Sequence, residues 1–350
     1  MRRARIFASE ATSPRPGEDG ARSGSRSLRA LAAALLWLGF AASAAAAEGL
    51  HSESLRIDPG ERMLVVAPHP DDETLGAGGL IQRVLARGGR VRVVALTAGD
   101  GYREALARLV PGRPPGPSDF LHYGSKRIDE LEAALEVLGD GRIRLEVLGF
   151  PDGGLQALLV DRSGRSLPLR SATTATESPP YPDAADRTLS YRGEDLRRAL
   201  SRILADERPT LVVIPDPADR HPDHSAGASF ALASLRDPEV ERALRAHPPR
   251  VATYLIHWPG WPTPAAGTAG AAPFALPADL PARGLAIRTL WLDASELERK
   301  RDALARHDTQ QRAMGPFLAL FERRGEVFRL LDTTRIDPPR TARHAPPRTK

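Results

Sequence analysis

The feature that most constrains the fold of this chain is residues 63–80, where an apolar run meets a dense cluster of charge. Residues 63–67 are apolar and end at Pro68, a pattern typical of a buried strand in a parallel sheet. Apolar residues then recur at helical spacing from Leu75 to Leu85. The charged cluster therefore lies between a strand and a helix, where α/β proteins bind ligands beyond the carboxyl ends of their strands.

One imidazole and three carboxylates fall within five positions of this cluster: His69, Asp71, Asp72 and Glu73. Imidazole together with carboxylate suits Zn²⁺ or a similar divalent ion. His69 and Asp72 can face one ion if the backbone turns at Pro70, which leaves Asp71 beside the metal as a base for a water. The alternative interpretation is that Asp71 or Asp72 only caps the following helix.

A second cluster, His221-Pro-Asp-His224, follows another predicted strand at residues 210–214. Pro222 suits the first turn of a helix, so this cluster also lies between a strand and a helix. Parallel strands end at the same edge of a sheet, and the two clusters are therefore expected to meet. A single histidine in such a place is more often a surface residue, but two matched clusters favour a site.

The two clusters resemble the motifs of the PIG-L/LmbE-like deacetylases, zinc-dependent hydrolases that remove acetyl groups from N-acetylglucosamine-type sugars. The residues before the first motif, Ala67-Pro68, differ slightly from the family pattern. The resemblance implies that His69, Asp72 and His224 bind Zn²⁺, with Fe²⁺ or another divalent ion as an alternative. It further implies that Asp71 is the general base and that His221 stabilises the oxyanion or protonates the leaving amine.

Weaker matches to the same family extend the resemblance to residues 61–331. Arg127 with Glu130 resembles its Arg-x-x-Glu motif, residues 148–152 resemble its segment ending in Pro-Asp, and residues 300–310 resemble its late helix. The resemblance implies that Arg127 and Asp152 contact sugar hydroxyls, and Asp100, on the loop that follows the second strand, is a further candidate. The alternatives are a solvated helix charge for Arg127 and a turn-forming role for Asp152.

The order of the elements predicts the fold class. Strand and helix patterns alternate from residue 61 onward, which predicts an α/β, Rossmann-like, mainly parallel sheet with helices on both faces. We expect one catalytic domain over residues 48–335, a loop over residues 110–119, a helix over residues 125–138, and a late helix capped by Ser295 with Glu298. Gly76, Gly78 and Gly79 lack the spacing of a dinucleotide fingerprint and indicate close helix packing instead.

The two ends of the chain differ from its middle. Residues 1–47 combine a basic flank, an apolar run at residues 30–42 and small residues before Glu48, which predicts a signal peptide and export to the periplasm or beyond. The alternatives are an uncleaved membrane anchor, the only membrane contact we expect, and a start site placed too early. This leader carries a net charge of +4 and the predicted tail, residues 336–350, carries +3, which leaves −2 of the total +5 for the body. Nucleic-acid binding is therefore not expected.

Our functional prediction is a zinc-dependent hydrolase acting on an N-acetylated amino sugar. The 350-residue chain contains no cysteine, so any zinc must be held by histidine and carboxylate. The loops at residues 161–190 and 258–281, with Trp258 and Trp261, predict an aromatic platform for a sugar face. The alternatives are an amidase for a non-sugar amide, a metal-dependent glycosyltransferase that holds a sugar nucleotide at Asp71-Asp72, and a non-catalytic sugar-binding protein.

Overall fold

A computed structural model of the chain describes residues 53–160, 167–262, 275–281 and 286–332. The predicted leader (residues 1–47) and tail (residues 336–350) lie outside these residues, and the boundaries of the predicted domain remain predictions. Within the described ranges, no helix is both long enough and apolar enough to cross a bilayer. The described residues form one eight-stranded sheet flanked by helices, which confirms the predicted fold class.

The strands are β1 (Glu53–Ser54), β2 (Arg62–Ala67), β3 (Arg90–Thr97), β4 (Ile143–Phe150), β5 (Leu211–Pro215), β6 (Arg250–Tyr254), β7 (Ala286–Trp291) and β8 (Gly325–Leu331). They lie in the order β1-β7-β8-β6-β5-β2-β3-β4 across the sheet. Neighbouring strands are parallel except at β8, which is antiparallel to both β6 and β7.

The helices are α1 (Asp72–Ala86), α2 (Arg103–Leu109), α3 (Pro117–Gly139), α4 (Leu155–Val160), α5 (Gly193–Glu207), α6 (Pro222–Leu235), α7 (Pro238–Leu244), α8 (Ala294–Leu304) and α9 (Asp308–Leu318), the last followed by a 3₁₀ turn (Ala319–Phe321). The helices pack against the sheet through two apolar cores. One core joins the sheet to α1, α3 and α8, and the other joins the opposite side chains of the strands to α5 and α6. The central strands β2, β3 and β5 are consequently almost wholly buried.

The order of the strands reverses between β2 and β5. The chain runs from β2 outward to β3 and β4, then returns to β5, which pairs with β2 on its free side. The following strand, β6, lies beyond β5. A doubly wound sheet opens a crevice at the carboxyl ends of the strands where its order reverses, and the segments after β2 and β5 both enter that crevice.

The predicted element boundaries need two corrections. Helix α3 begins at Pro117 rather than Ser125, because Pro117 occupies the first helical position and the Asp119 carboxylate accepts the Gly116 N–H at 2.8 Å. The capping box of α8 is formed by Asp293 and Glu296 rather than Ser295 and Glu298. Ser295 instead donates its hydroxyl to Asp293.

The predicted late helix is also divided. His307 has non-helical backbone angles and separates α8 from α9. The first turn of α9 is anchored from outside, because the Glu130 carboxylate accepts both the N–H and the hydroxyl of Thr309, at 3.0 and 2.6 Å. This cap comes from α3, so the helical pattern of the late segment did not reveal it.

Candidate metal and catalytic site

The two predicted clusters meet at the carboxyl ends of β2 and β5. One oxygen of Asp72, Oδ2, lies 3.2 Å from His69 Nδ1 and 3.2 Å from His224 Nε2. Two ligands of one tetrahedral zinc ion lie roughly 3.4 Å apart, since each is about 2.1 Å from the ion. The spacing of Asp72 from each imidazole is therefore compatible with coordination of a shared ion.

The geometry offers more than one ligand set. Among the described residues, three sets of side chains have ligand atoms within 4.8 Å of one another: His69–His221–His224, Asp72–His224–His257 and His69–Asp152–Asp223. The predicted trio of His69, Asp72 and His224 is not itself one of these sets, but every set contains at least one of its members. The metal roles of the trio therefore remain predictions.

The ring nitrogens of this cluster support a metal site. His69 Nε2 and both ring nitrogens of His224 are buried and have no hydrogen-bond partner of acceptable geometry. Buried polar atoms are rarely left unpaired in folded proteins. Asp152 lies beside His69 Nε2 and Asp219 beside His224 Nδ1, so His224 Nε2, beside Asp72, is the nitrogen that most needs a ligand. Neutral imidazole and carboxylate are donors that zinc accepts, and the side chains present thus fit a divalent cation.

The electrostatics of the trio depend on close contact between imidazole and carboxylate. Burial lowers the pKa of His224, but the Asp72 and Asp219 carboxylates outweigh it and raise that pKa to about 9. Burial raises the pKa of Asp72, yet His224 and His69 bring it well below its ordinary value. The carboxylates of this cluster therefore favour positive charge at its centre, which a divalent cation also supplies.

Asp71 stands at the start of α1, but its side chain does not cap the helix. Its backbone adopts φ 132°, its N–H donates to Glu73 Oε2, and its carboxylate lies 3.2 Å from Arg127 Nη2. Burial raises the pKa of Asp71 to about 6, against the opposing charge of Arg127. Asp72 does not cap α1 either, since its Oδ2 accepts the N–H of His69. The capping interpretation is thus wrong for both residues.

His221 faces the same space from the start of α6. Its Nδ1 accepts the N–H of Asp223 at 3.2 Å, so the neutral ring carries its proton on Nε2. Burial, and then the neighbouring His69 and His224, lower the pKa of His221 to about 4. A neutral imidazole with one free N–H can donate to an oxyanion at neutral pH.

The three predicted substrate contacts occupy different positions. Asp152 lines the cavity, with Oδ1 3.2 Å from His69 Nε2 and Oδ2 accepting the N–H of Gly101. Arg127 also lines it, but its guanidinium donates to the carbonyls of Gly99 and Pro70 besides contacting Asp71. Arg127 thus links two loops to the Asp71 carboxylate. The interpretation of Arg127 as a solvated charge on a helix is therefore wrong.

Asp100 does not line the cavity. It is 2% exposed, and its carboxylate accepts hydrogen bonds from the hydroxyls of Tyr181 and Thr173. The predicted substrate contact therefore has no support from its position. The sequence placed Asp100 correctly on the loop after β3, but the direction of its side chain depends on the segment around Tyr181.

A cavity of about 420 Å³ opens above these residues. Its lining also contains Tyr102, Met314 and Phe317, none of which the sequence singled out. Trp258, predicted to form a platform, is only 6% exposed and donates its indole N–H to Asp279, while neither it nor Trp261 lines the cavity. The apolar wall of this cavity is therefore supplied by other residues, while residues 161–166 and 263–274 of the two predicted platform loops lie outside the described residues.

Sequence reasoning also missed three polar members of the cluster. Asp219 lies 3.3 Å from His224 Nδ1, and Asp223 accepts the N–H groups of Gly153 and Leu155. His257 follows β6 and lines the cavity, with its ring centroid 4.7 Å from that of His224. Asp223 lies within the second motif, so the sequence could have identified it. Asp219 and His257 lie outside both motifs, and no motif pointed to them.

Fold and site together define a doubly wound α/β protein. A cluster of His and Asp side chains that could hold a metal ion lies where the strand order reverses. Residues 64–235 match the PIG-L family, described as GlcNAc-PI de-N-acetylase. This segment of the chain is therefore similar to the PIG-L family, which confirms the predicted resemblance.

Individual relatives agree with this assignment. The chain is 32% identical over 203 residues to the 1D-myo-inositol 2-acetamido-2-deoxy-alpha-D-glucopyranoside deacetylase of Corynebacterium glutamicum, over 53% of this chain and 60% of that protein. It is 33% identical over 193 residues to 1D-myo-inositol 2-acetamido-2-deoxy-alpha-D-glucopyranoside deacetylase 1 of Saccharopolyspora erythraea, over 53% and 58% of the two chains. The chain thus spans about 60% of the length of each of these two relatives.

Among solved structures, the N,N'-diacetylchitobiose deacetylase of Pyrococcus horikoshii is similar at a TM-score of 0.46. The two chains are 20% identical, and the match covers 78% of this chain and 85% of the other.

Proposed function

We propose that this protein is a zinc-dependent N-deacetylase that releases acetate from an N-acetylated amino sugar. The observation that carries the proposal is the meeting of the two family motifs at one cavity, with Asp71 beside the candidate ligands and His221 facing them. The matched relatives are named as deacetylases of a 2-acetamido sugar, which supports the same bond and substrate class.

His69, Asp72 and His224 would hold the metal ion. When bound, the ion supplies Lewis-acid polarisation of the acetyl carbonyl. The Asp71 carboxylate takes the proton of the attacking water, and burial, which raises its pKa to about 6, keeps its basicity close to neutral pH. Arg127 fixes the direction of that carboxylate through its contact with Oδ2.

His221 lines the same cavity, next to His69 and His224. Its Nε2–H donates to the developing oxyanion, because Nδ1 is occupied by the N–H of Asp223. The proton that Asp71 took from the water is then available to the departing amine, so the carboxylate is regenerated. Asp152, which accepts the N–H of Gly101, accepts hydrogen bonds from sugar hydroxyls, and the apolar side chains of Met314 and Phe317 pack against the sugar ring.

The test is an acetate-release assay on N-acetylglucosaminyl glycosides and oligosaccharides, with and without a chelator. We expect release that chelation abolishes and zinc restores, and we expect His224→Ala to lose both zinc and activity. His247→Ala changes an exposed histidine outside the cavity and serves as the control. Release from non-sugar amides alone would transfer the proposal to the amidase alternative. Binding of sugar nucleotides without acetate release would favour the glycosyltransferase.

We also propose that the protein is exported and acts on a glycan outside the cytoplasm. The apolar run at residues 30–42 behind a basic flank supports this proposal. Fractionation of cells that express the chain with a C-terminal epitope tag tests it. Full-length, unprocessed protein in the cytosol would contradict export and would favour small cytosolic amino sugars as substrates.

A further inference from the structure

The site contains an imidazole, His257, for which neither motif gives a role. It follows β6, and β6 is the parallel neighbour of β5, so His257 reaches the same edge of the sheet as His221 and His224. The ring centroid of His257 lies 5.0 Å from that of His221 and 4.7 Å from that of His224. The pairing of β6 with β5 therefore places His257 in the cluster, although His257 belongs to neither motif.

A shared carboxylate locks His257 and His224 together. Asp219 Oδ2 accepts the backbone N–H of His257 at 3.0 Å, and the same oxygen lies 3.3 Å from His224 Nδ1. A carboxylate behind a metal-binding imidazole orients that ring toward its ion. Here the carboxylate also sets the backbone position of the second imidazole.

The ring of His257 is also held from its outer side. The Phe317 ring stacks on it with an interplanar angle of 6° and a centroid distance of 5.8 Å. The ring also contacts the rings of His221 and His224, and the residue lines the cavity. An imidazole fixed in this way is oriented before any ligand binds.

We propose that His257 is a fourth ligand of the ion that His69, Asp72 and His224 hold. The ligand atoms of Asp72, His224 and His257 all lie within 4.8 Å of one another, and this set is one of the three in the described chain that suit a metal ion. A fourth protein ligand still leaves a position for substrate, because zinc expands to five-coordination. The inference rests on the proposed function only in requiring that the site bind zinc.

The first test is made on the wild-type full chain with zinc bound. Extended X-ray absorption fine structure counts the imidazoles on the ion, and elemental analysis counts the ions. We expect one zinc per chain with three imidazoles, from His69, His224 and His257. Two imidazoles, or two zinc ions per chain, would overturn the proposal, and this measurement does not depend on any variant folding.

The second test compares zinc affinity by competition with a chromophoric chelator. Loss of a residue that only orients a metal ligand typically weakens affinity about 10- to 100-fold, so we expect His257→Ala and His257→Leu to weaken it at least about tenfold. His257→Leu keeps most of the packing against Phe317, and His247→Ala is the surface control. The Co²⁺ absorption bands of the His257 variants should also shift from those of the wild type.

These results separate the inference from the proposed function. A wild-type protein that binds zinc and releases acetate, with unchanged affinity and Co²⁺ bands in His257→Leu, contradicts only the role of His257. A wild-type protein that binds no zinc overturns both.

Discussion

Asp71 is the residue on which the proposed chemistry depends most. Its φ of 132° lies in a region that side-chain-bearing residues rarely adopt, and such strain persists only where the surroundings hold it. Glu73 accepts its N–H, while Arg127 binds the preceding carbonyl and the carboxylate itself. These contacts direct the carboxylate into the cavity instead of toward the helix end.

We expect Asp71→Asn to keep zinc and lose turnover. The amide preserves the size of the side chain but cannot accept a proton, and loss of a general base typically costs about 10² to 10⁴-fold in rate. Acetate release and zinc content are measured on the same preparation, with Asp129→Asn, an exposed change on α3, as the control. Near-normal activity in Asp71→Asn would contradict the assignment of the base.

Asp100 predicts how stability depends on pH. Burial and the nearby charge of Asp152 raise the pKa of Asp100 to about 7, although hydrogen bonds from Tyr181 and Thr173 lower it. The folded protein therefore binds this proton more tightly than the unfolded chain does. The contribution of Asp100 to the free energy of unfolding is full below its ordinary pKa of 3.8 and is lost as pH rises through about 7.

Replacing this carboxyl by an amide should flatten the pH dependence. We expect the free energy of unfolding of Asp100→Asn to fall less than that of the wild type between pH 5 and pH 8, because the amide does not ionise. Urea unfolding of both proteins in chelator measures the difference, and Asp129→Asn corrects for general charge effects. Parallel curves for Asp100→Asn and wild type would show that Asp100 has an ordinary pKa.

At the level of elements, helix α1 must approach its neighbours closely to present Asp72. A Cβ built on Gly79 would lie 2.1 Å from Leu292, and one on Gly76 would lie 2.5 Å from the ring of Tyr254. A Cβ on Gly78 would meet Lys300 at an ordinary 3.4 Å. Close packing thus explains Gly76 and Gly79, as the sequence indicated, but it does not explain Gly78.

This contrast gives a matched pair of variants. Gly79→Ala should destabilise the protein by roughly 1 to 3 kcal/mol through overpacking against Leu292. Gly78→Ala has room for its methyl group and should be neutral or stabilising by up to about 1 kcal/mol, because alanine favours helix. Urea unfolding compares both with wild type. Equal effects of the two substitutions would contradict the packing explanation.

For the molecule as a whole, the predicted metal site should link metal binding to global stability. Its predicted ligands His69, Asp72 and His224 come from the segments after β2 and β5, which are about 150 residues apart in sequence and meet only in the folded state. An ion that binds the folded state alone stabilises it by about 2.7 kcal/mol when its free concentration is 100 times the Kd.

We therefore expect zinc to raise the urea midpoint of the wild type and a chelator to lower it. His224→Ala should lose this response, whereas His247→Ala, an exposed change, should keep it. An unchanged midpoint at saturating zinc would contradict a native metal site in this chain.

The local sequence determined the fold class and the two motif clusters, because both depend on short-range patterns. The apolar run of β2 and the helical spacing after it indicated a strand, a turn and a helix. The His221–His224 motif repeated the same arrangement after β5. Parallel strands end at one edge, so the meeting of the clusters also followed from the pattern.

Only the tertiary structure decided which other side chains join that edge. His257 and Asp219 enter because β6 and the loop after β5 lie next to each other in the sheet, while Asp100 turns away toward Tyr181. The break at His307 likewise depends on Glu130 from a distant helix. Such contacts join residues far apart in sequence, so a local pattern of polar and apolar residues does not predict them.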